Sequence, residues 1–320
     1  MGVYGGAVAS SLGVSSLASD VITSRLGSGN ATAQNLVAMT DAQGSVWVAP
    51  TFKNSESDDF GAQGAKYGVD LDMAGAALGA DYTAASGVRV GAMFNVGSGS
   101  ADGKGNGAGL SNDFDYVGFG VYAGATVGNL GINADVNYAV VSNAIEGESG
   151  VTGFGKLKSD VDSTVVSAGV TGEYKFATAA LDVVPHAGLR FTRIDTDSYD
   201  VKSSKGTVLS VASDVQNIVS IPVGVTLSRD IVAGAWTVKP SADLTITCNT
   251  GDTDNTSTAN FLGTATDVAL TSEVLDDVTF GATLGLEAAT KSFGFGVGVN
   301  YTGSSNVDEY GVKANARYIF

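Results

Sequence analysis

The chain has 320 residues, with 17 basic and 33 acidic side chains and a formal net charge of −16. That balance excludes the basic patch on which nucleic-acid binding rests. A single cysteine, Cys248, excludes an internal disulfide framework, and a single histidine, His186, excludes metal sets that need two histidines from one chain.

No apolar run is long enough for a spanning helix. No basic region followed by a long apolar core marks a signal peptide, so export would depend on a signal upstream of residue 1. The first element is helical. Val14, Leu17, Ala18 and Val21 recur at helical spacing, and Leu12, Ile22 and Leu26 widen the stripe. Asp20 and Arg25 are its charged members, and Gly27 and Gly29 provide a stop. A helix over residues 8–26 would be about 28 Å long. Its serines make it marginal in isolation.

From residue 44 the chain alternates apolar and polar residues in one segment after another. In GNLGINADVNYAV, Leu130, Ile132, Ala134, Val136, Tyr138 and Val140 share one face, opposite Asn133, Asp135 and Asn137. In STVVSAGVTGEYKF, Val166, Val170, Tyr174 and Phe176 stand opposite Ser167, Thr171, Glu173 and Lys175. In LDVVPHAGLRFTRI, Leu189 and Phe191 stand opposite His186 and Arg190. The final run, EYGVKANARYIF, sets Tyr310, Val312, Tyr318 and Phe320 against Gly311, Lys313, Asn315 and Arg317. The pattern predicts about twelve strands: 44–53, 64–82, 87–97, 113–127, 129–142, 158–176, 180–195, 215–229, 232–249, 274–289, 291–303 and 308–320. Short turns near Gly128, Thr178, Asp230 and Lys291 alternate with long polar links such as GSGSADGKGNGAGLSND, EGESGVTGFGK and CNTGDTDNTSTANFLG.

A soluble β-sandwich also alternates. Here the strands are long for a sandwich, the apolar face persists through every strand, and aromatics such as Tyr138, Tyr174, Phe176, Trp236 and Tyr301 gather near strand ends. The expectation is an all-β fold: a closed antiparallel transmembrane barrel, because lipid offers no partner to an open sheet edge. Asn133, Asp135, Asn137, Glu173, Lys175, His186 and Arg190 then line the lumen. About twelve strands enclose a bore wide enough for one helix. Glycines at inward positions, including Gly118, Gly120, Gly294, Gly296 and Gly298, leave space for it. The domain reading is a linker over 1–43 whose pore-spanning helix carries Val14, Leu17, Asp20, Val21 and Arg25, then a barrel over 44–320. An ordinary periplasmic helix or linker is the alternative for the first segment.

These elements in this order resemble the C-terminal translocator domain of type V autotransporters. The likeness rests on SVWVAP with Trp47, on GAALGADY with Gly75, Gly79 and Asp81, on VVPHAGLRFTRI with Pro185, Gly188 and Arg190, and on the terminal EYGVKANARYIF. It implies a location in the outer membrane of a Gram-negative bacterium, a passenger in cis that crosses to the surface, and a linker helix that stays in the pore. It implies that Gly311, Tyr318 and Phe320 belong to a signal read by the outer-membrane assembly machinery, with periplasmic chaperones as earlier partners. A monomer in the lipid bilayer is expected, with no cofactor, no metal, no catalytic residue and no nucleic-acid partner. The forty residues before the barrel are too few for a passenger. Some members cut their helix at an Asn-Asn junction; residues 8–29 contain none, so no self-cleavage is expected.

Two rivals remain at this level. A porin-like channel of similar strand number would have no need of residues 8–26. A barrel hydrolase would have to use His186 as its base. DTDNTST and the stretch around Asp58 and Asp59 could bind Ca²⁺ weakly, but neither has EF-hand spacing, so solvated loops are the default.

Overall fold

The computed structural model describes residues 1–27, 43–148, 155–261, 263 and 267–320. Among the described residues one helix, α1 (Ala7–Leu26), precedes eighteen strands. They are β1 (Gln43–Ala62), β2 (Ala65–Thr83), β3 (Arg89–Gly105), β4 (Leu110–Val127), β5 (Leu130–Glu148), β6 (Lys156–Tyr174), β7 (Phe176–Ala177), β8 (Asp182–Thr196) and β9 (Tyr199–Ser203). The second half supplies β10 (Gly206–Ser213), β11 (Val215–Ser228), β12 (Ile231–Ala233), β13 (Trp236–Gly251), β14 (Asp254–Phe261), β15 (Asp267–Glu273), β16 (Val278–Ala289), β17 (Phe293–Gly303) and β18 (Val307–Ile319).

Twelve of these form a closed antiparallel wall: β1 to β6, β8, β11, β13, β16, β17 and β18. Closure is made by β18 on β1, from Ser45↔Ile319 to Ser57↔Val307. Closure leaves no open sheet edge, which is the condition for a sheet to sit in lipid. The seam lapses between Val48↔Ala316 and Thr51↔Lys313, where Pro50 carries no N–H to donate.

The outward face divides into two zones. Leu78, Phe94, Val117, Phe119, Val136, Leu189, Val223, Leu284, Val297 and Val312 project outward and are exposed. Above them the same face turns polar. Asp72 pairs with Asn54 and Ser100, while Asp115 and Asp162 both flank Ser142. An apolar band about 25 Å tall, bounded by polar residues, is what a membrane barrel presents to hydrocarbon.

Beyond the apolar band the wall changes its strand count. The β17–β18 hairpin ends early, and its turn is held by Asp276, which accepts from Ser304 Oγ at 2.6 Å, Asn306 N at 3.0 Å and Asn306 Nδ2 at 2.7 Å. Above that turn β15 reaches β1 directly, at Ala62↔Ser272. β9 and β10 carry on the course of β8 and β11, and β14 and β15 carry on that of β13 and β16. The result is a ring of ten strands, β1 to β6 with β9, β10, β14 and β15, standing on a ring of twelve.

This is where the expected strand limits fall short. The links read as loops after residues 53, 97 and 195 are largely strand. Beyond lipid the outward face turns polar while the inward face stays buried, with Phe60, Ala101, Tyr199, Val201 and Val211 on it, so the lipid-facing apolar positions that mark a strand in sequence end while the ladder continues. Part of the link EGESGVTGFGK, at 149–154, lies outside the described residues.

Candidate functional site

The bore of the wall holds α1. Fourteen of its residues are buried, among them Ala7, Val8, Val14, Leu17, Ala18, Val21, Ile22 and Leu26. Burial covers most of the helix circumference, while Ala9, Leu12, Ser16, Asp20 and Thr23, at helical spacing on one face, are less enclosed. The buried arc is wider than the single apolar stripe of a surface helix and takes in serines as well as apolar residues. Its serines fit this setting. Ser10 and Ser11 donate to Ala7 O, Ser16 to Gly13 O, Ser19 to Ser15 O and Ser24 to Val21 O. Each hydroxyl is satisfied within the helix, so little polar demand is placed on the wall.

Three levels of contact fix the helix. At its start Gly6 has φ 82°, and a Cβ there would lie 2.8 Å from Ala101 Cβ. Only glycine fits both the conformation and the space. Gly2 N donates to Tyr199 Oη at 2.9 Å, and Ser10 Oγ lies 2.8 Å from Asn143 Oδ1. Midway, Val14, Leu17, Val21 and Ile22 pack with Leu71, Met73, Ala77 and Met93. Lys53 reaches Ser16 and also pairs with Glu309 at 2.8 Å.

The third level is a charged clamp at the C-terminal turn. Arg25 forks onto Asp81, with Nε to Oδ2 at 2.7 Å and Nη2 to Oδ1 at 2.9 Å. Ser45 Oγ accepts from Arg25 Nη2 at 2.6 Å and donates to Asp81 Oδ1 at 2.6 Å. Tyr122 Oη donates to Asp81 Oδ2 at 2.9 Å, and Trp47 Nε1 donates to that same hydroxyl at 2.8 Å. Arg89 Nη1 donates to Arg25 O at 3.3 Å, answering one carbonyl of the helix end. The side chains of Arg25 and Asp81 are 7% and 1% exposed, so this pair is desolvated. A cation in the last turn also complements the helix dipole. Trp47 lies flat over Gly79, where a Cβ would sit 2.2 Å from Trp47 Cζ2. That close approach lets the indole reach Tyr122.

The helix does not fill the bore evenly. It touches β1 to β6 and β8. On that side inward polar residues are shut from solvent: Asn95, Asn112, Asn137, Asn143, Ser163 and Ser167 are buried. On β11, β13 and β16 the inward Thr226, Asp243, Thr245 and Thr283 are only half-buried. A polar crevice therefore runs beside the helix on the β11–β16 side.

The expected lumen residues are distributed between these two sides. Asp135 accepts a fork from Arg190, with Nη1 at 3.0 Å and Nη2 at 2.7 Å, and Asn137 Nδ2 donates to the same carboxylate at 2.7 Å. Asn133 lies inward over Gly124, and Glu173 is buried over Gly131. Lys175 sits just past β6 and pairs with Asp182 at 2.8 Å. His186 lies inward, and its Nε2 is 2.8 Å from Asp243 Oδ2 rather than beside Arg190. Thr226 and Thr245 donate to that carboxylate at 2.7 Å each. No serine hydroxyl bonds the imidazole among the described residues. On the helix, Val14, Leu17, Val21 and Arg25 are buried and Asp20 is half-buried. Gly311 is buried under Asn300, while Tyr318 and Phe320 are exposed on the outward face beside Phe293. The clamp residues Ser45, Tyr122 and Arg89 carried no signal beyond their inward parity; Asp81 was visible only as part of GAALGADY.

A sealed, lipid-facing wall with a helix resident in its bore defines a class, the transmembrane barrel with an occupied lumen. Comparison with known proteins narrows it. The autotransporter beta-domain family profile matches residues 46–302, and the chain belongs to that family. No curated protein sequence matches the chain. Among solved structures it is similar to the translocator domain of the autotransporter NalP from Neisseria meningitidis, with TM-score 0.74 and 12% identity over 99% of this chain and 98% of that one. It is similar to the beta domain of the Bordetella autotransporter BrkA, with TM-score 0.61 and 18% identity over 86% and 98%. The transport unit of AIDA-I from Escherichia coli gives TM-score 0.62 and 14% identity over 86% and 90%. The protein is an outer-membrane translocator domain, a transport domain that serves a passenger in cis.

Proposed function

We propose that the barrel (residues 44–320) carries and anchors a passenger joined to its N-terminal side, and that residues 1–43 are the linker whose helix closes most of the bore. The observation that carries this reading is the burial of fourteen residues of α1 inside the bore together with the Arg25–Asp81 clamp. A helix so enclosed is a permanent occupant rather than a chance one. Burying an ion pair is favourable only with near-ideal geometry and further hydrogen bonds, and this pair has both.

In this reading Val14, Leu17, Asp20, Val21 and Arg25 form the plug. Asn133, Asp135, Asn137, Glu173, His186 and Arg190 line the lumen with polar groups, and Lys175 guards its short-turn mouth. Gly311, Tyr318 and Phe320 present the closing strand to the assembly machinery after periplasmic chaperones deliver the chain. The domain acts as a monomer and without catalysis. The drive for passage comes from assembly and from passenger folding outside. A reporter domain placed before residue 1, behind an export signal, tests this. Protease added to intact cells should cut the reporter. A reporter that stays protected while the barrel is inserted would end the proposal.

A further inference from the structure

Strand β18 brings Arg317 into the bore, where it is 4% exposed, and none of its three guanidinium nitrogens has a hydrogen-bond partner among the described residues. A buried guanidinium without acceptors is costly enough that something should answer it. Its position is built rather than accidental. Gly294 on the neighbouring strand clears its path, since a Cβ there would lie 2.7 Å from Arg317 Nε. The group borders a small cavity of about 20 Å³ lined by Val21, Ser24, Arg25, Trp47, Asn315 and Arg317. That is space for one water or one monatomic ion, and too little for a phosphate or a carboxylate ligand.

Charge decides between water and ion. Arg317 lies in the field of Arg25, Arg89, Glu287 and Asp81. Asp81 is already shared by Arg25 and Arg89. Glu287 also lies in the field of Lys239, which pairs with Asp230 at 3.7 Å. Lys175 and Asp182, which also act on Lys239, pair with each other and cancel. Arg25, Arg89, Arg317 and Lys239 then face Asp81, Glu287 and Asp230, which leaves one positive charge in a desolvated place. Water would satisfy N–H groups and leave the charge standing.

We propose that this cavity is a binding site for a chloride-sized monovalent anion, held between Arg317 on the closing strand and Arg25 on the helix. The ion ties the C-terminal turn of α1 to β18, the strand that seals the wall, and so couples retention of the helix to closure of the seam. Its source is free halide in the surrounding solution.

Bromide is the probe. Crystals of the whole chain grown with bromide should show an anomalous peak within hydrogen-bond reach of Arg317 and Arg25. In detergent, the unfolding temperature should rise with bromide and level off when gluconate is exchanged for bromide at constant ionic strength, as specific binding to the folded state requires. Arg317→Gln should lose both the peak and the bromide dependence. If that variant does not fold, the bromide-for-gluconate series on the unaltered protein decides alone. No peak in the cavity, a peak that persists in Arg317→Gln, or an unfolding temperature indifferent to the anion would overturn the proposal.

Discussion

Replacing Asp81 by alanine should loosen the helix without opening the wall. The carboxylate accepts from Arg25 twice, from Ser45 and from Tyr122, and stands 3.7 Å from Arg89. Its removal strands two buried guanidinium groups, Arg25 at 7% and Arg89 at 2% side-chain exposure. Breaking a buried pair by deleting one partner costs about 3–5 kcal/mol. At about 1.4 kcal/mol per tenfold, that shifts the balance between helix-in and helix-out by roughly 10²–10³ or more. Single-channel recording in planar bilayers reads this directly. The unaltered protein should dwell in a low-conductance state set by the crevice beside α1. Asp81→Ala should visit a high-conductance state far more often, matching the level reached when residues 7–26 are deleted. Arg25→Ala should behave alike, and the double variant should add little, because both remove the same contact. Equal open fractions in Asp81→Ala and the unaltered protein, with the wall still folded, would refute the reasoning.

Other expectations follow from single positions. Leu284→Arg, on the lipid side, should lower stability by about 2–4 kcal/mol, whereas Thr283→Arg, facing Asp243 inside, should cost far less in the same equilibrium unfolding assay. Gly79→Val must displace Trp47 and should cost about 1–3 kcal/mol in the same assay. Tyr199→Phe leaves the Gly2 N–H without its acceptor, a loss of about 1–3 kcal/mol, and should speed amide exchange in the first turn of α1 but not in the last.

The fold was largely legible because lipid imposes one rule on every outward residue. From Leu130 to Val140, and from Phe293 to Tyr301, the apolar positions keep strict parity, and the structure places them on the outside. Legibility ends where lipid ends. Past Phe52 the outward positions become Asn54, Glu56 and Asp58, so a strand that continues to Ala62 looked like a loop. The same blindness hid the ten-strand ring, since β14 is mostly polar on both faces and β15 holds only Val268 and Leu270 as large apolar residues. Within the lumen, sequence parity identified which residues point inward but not which of them meet. Arg25 could have been paired with Asp135 or Glu173 on equal grounds. Strand register, which sequence does not reveal, brings it to Asp81. His186 likewise meets Asp243, a residue 57 positions away, across β11.

The two tryptophans test the central claim most directly, because they lie on opposite faces of one wall. Trp236 projects outward at the short-turn rim and is 39% exposed; Trp47 points into the bore and is 6% exposed. In vesicles made with bromine-labelled acyl chains, Trp47→Phe, which leaves only Trp236, should be strongly quenched. Trp236→Phe, which leaves only Trp47, should keep its fluorescence. Equal quenching of both, or stronger quenching of Trp47, would contradict a sealed cylinder with lipid outside and a helix within.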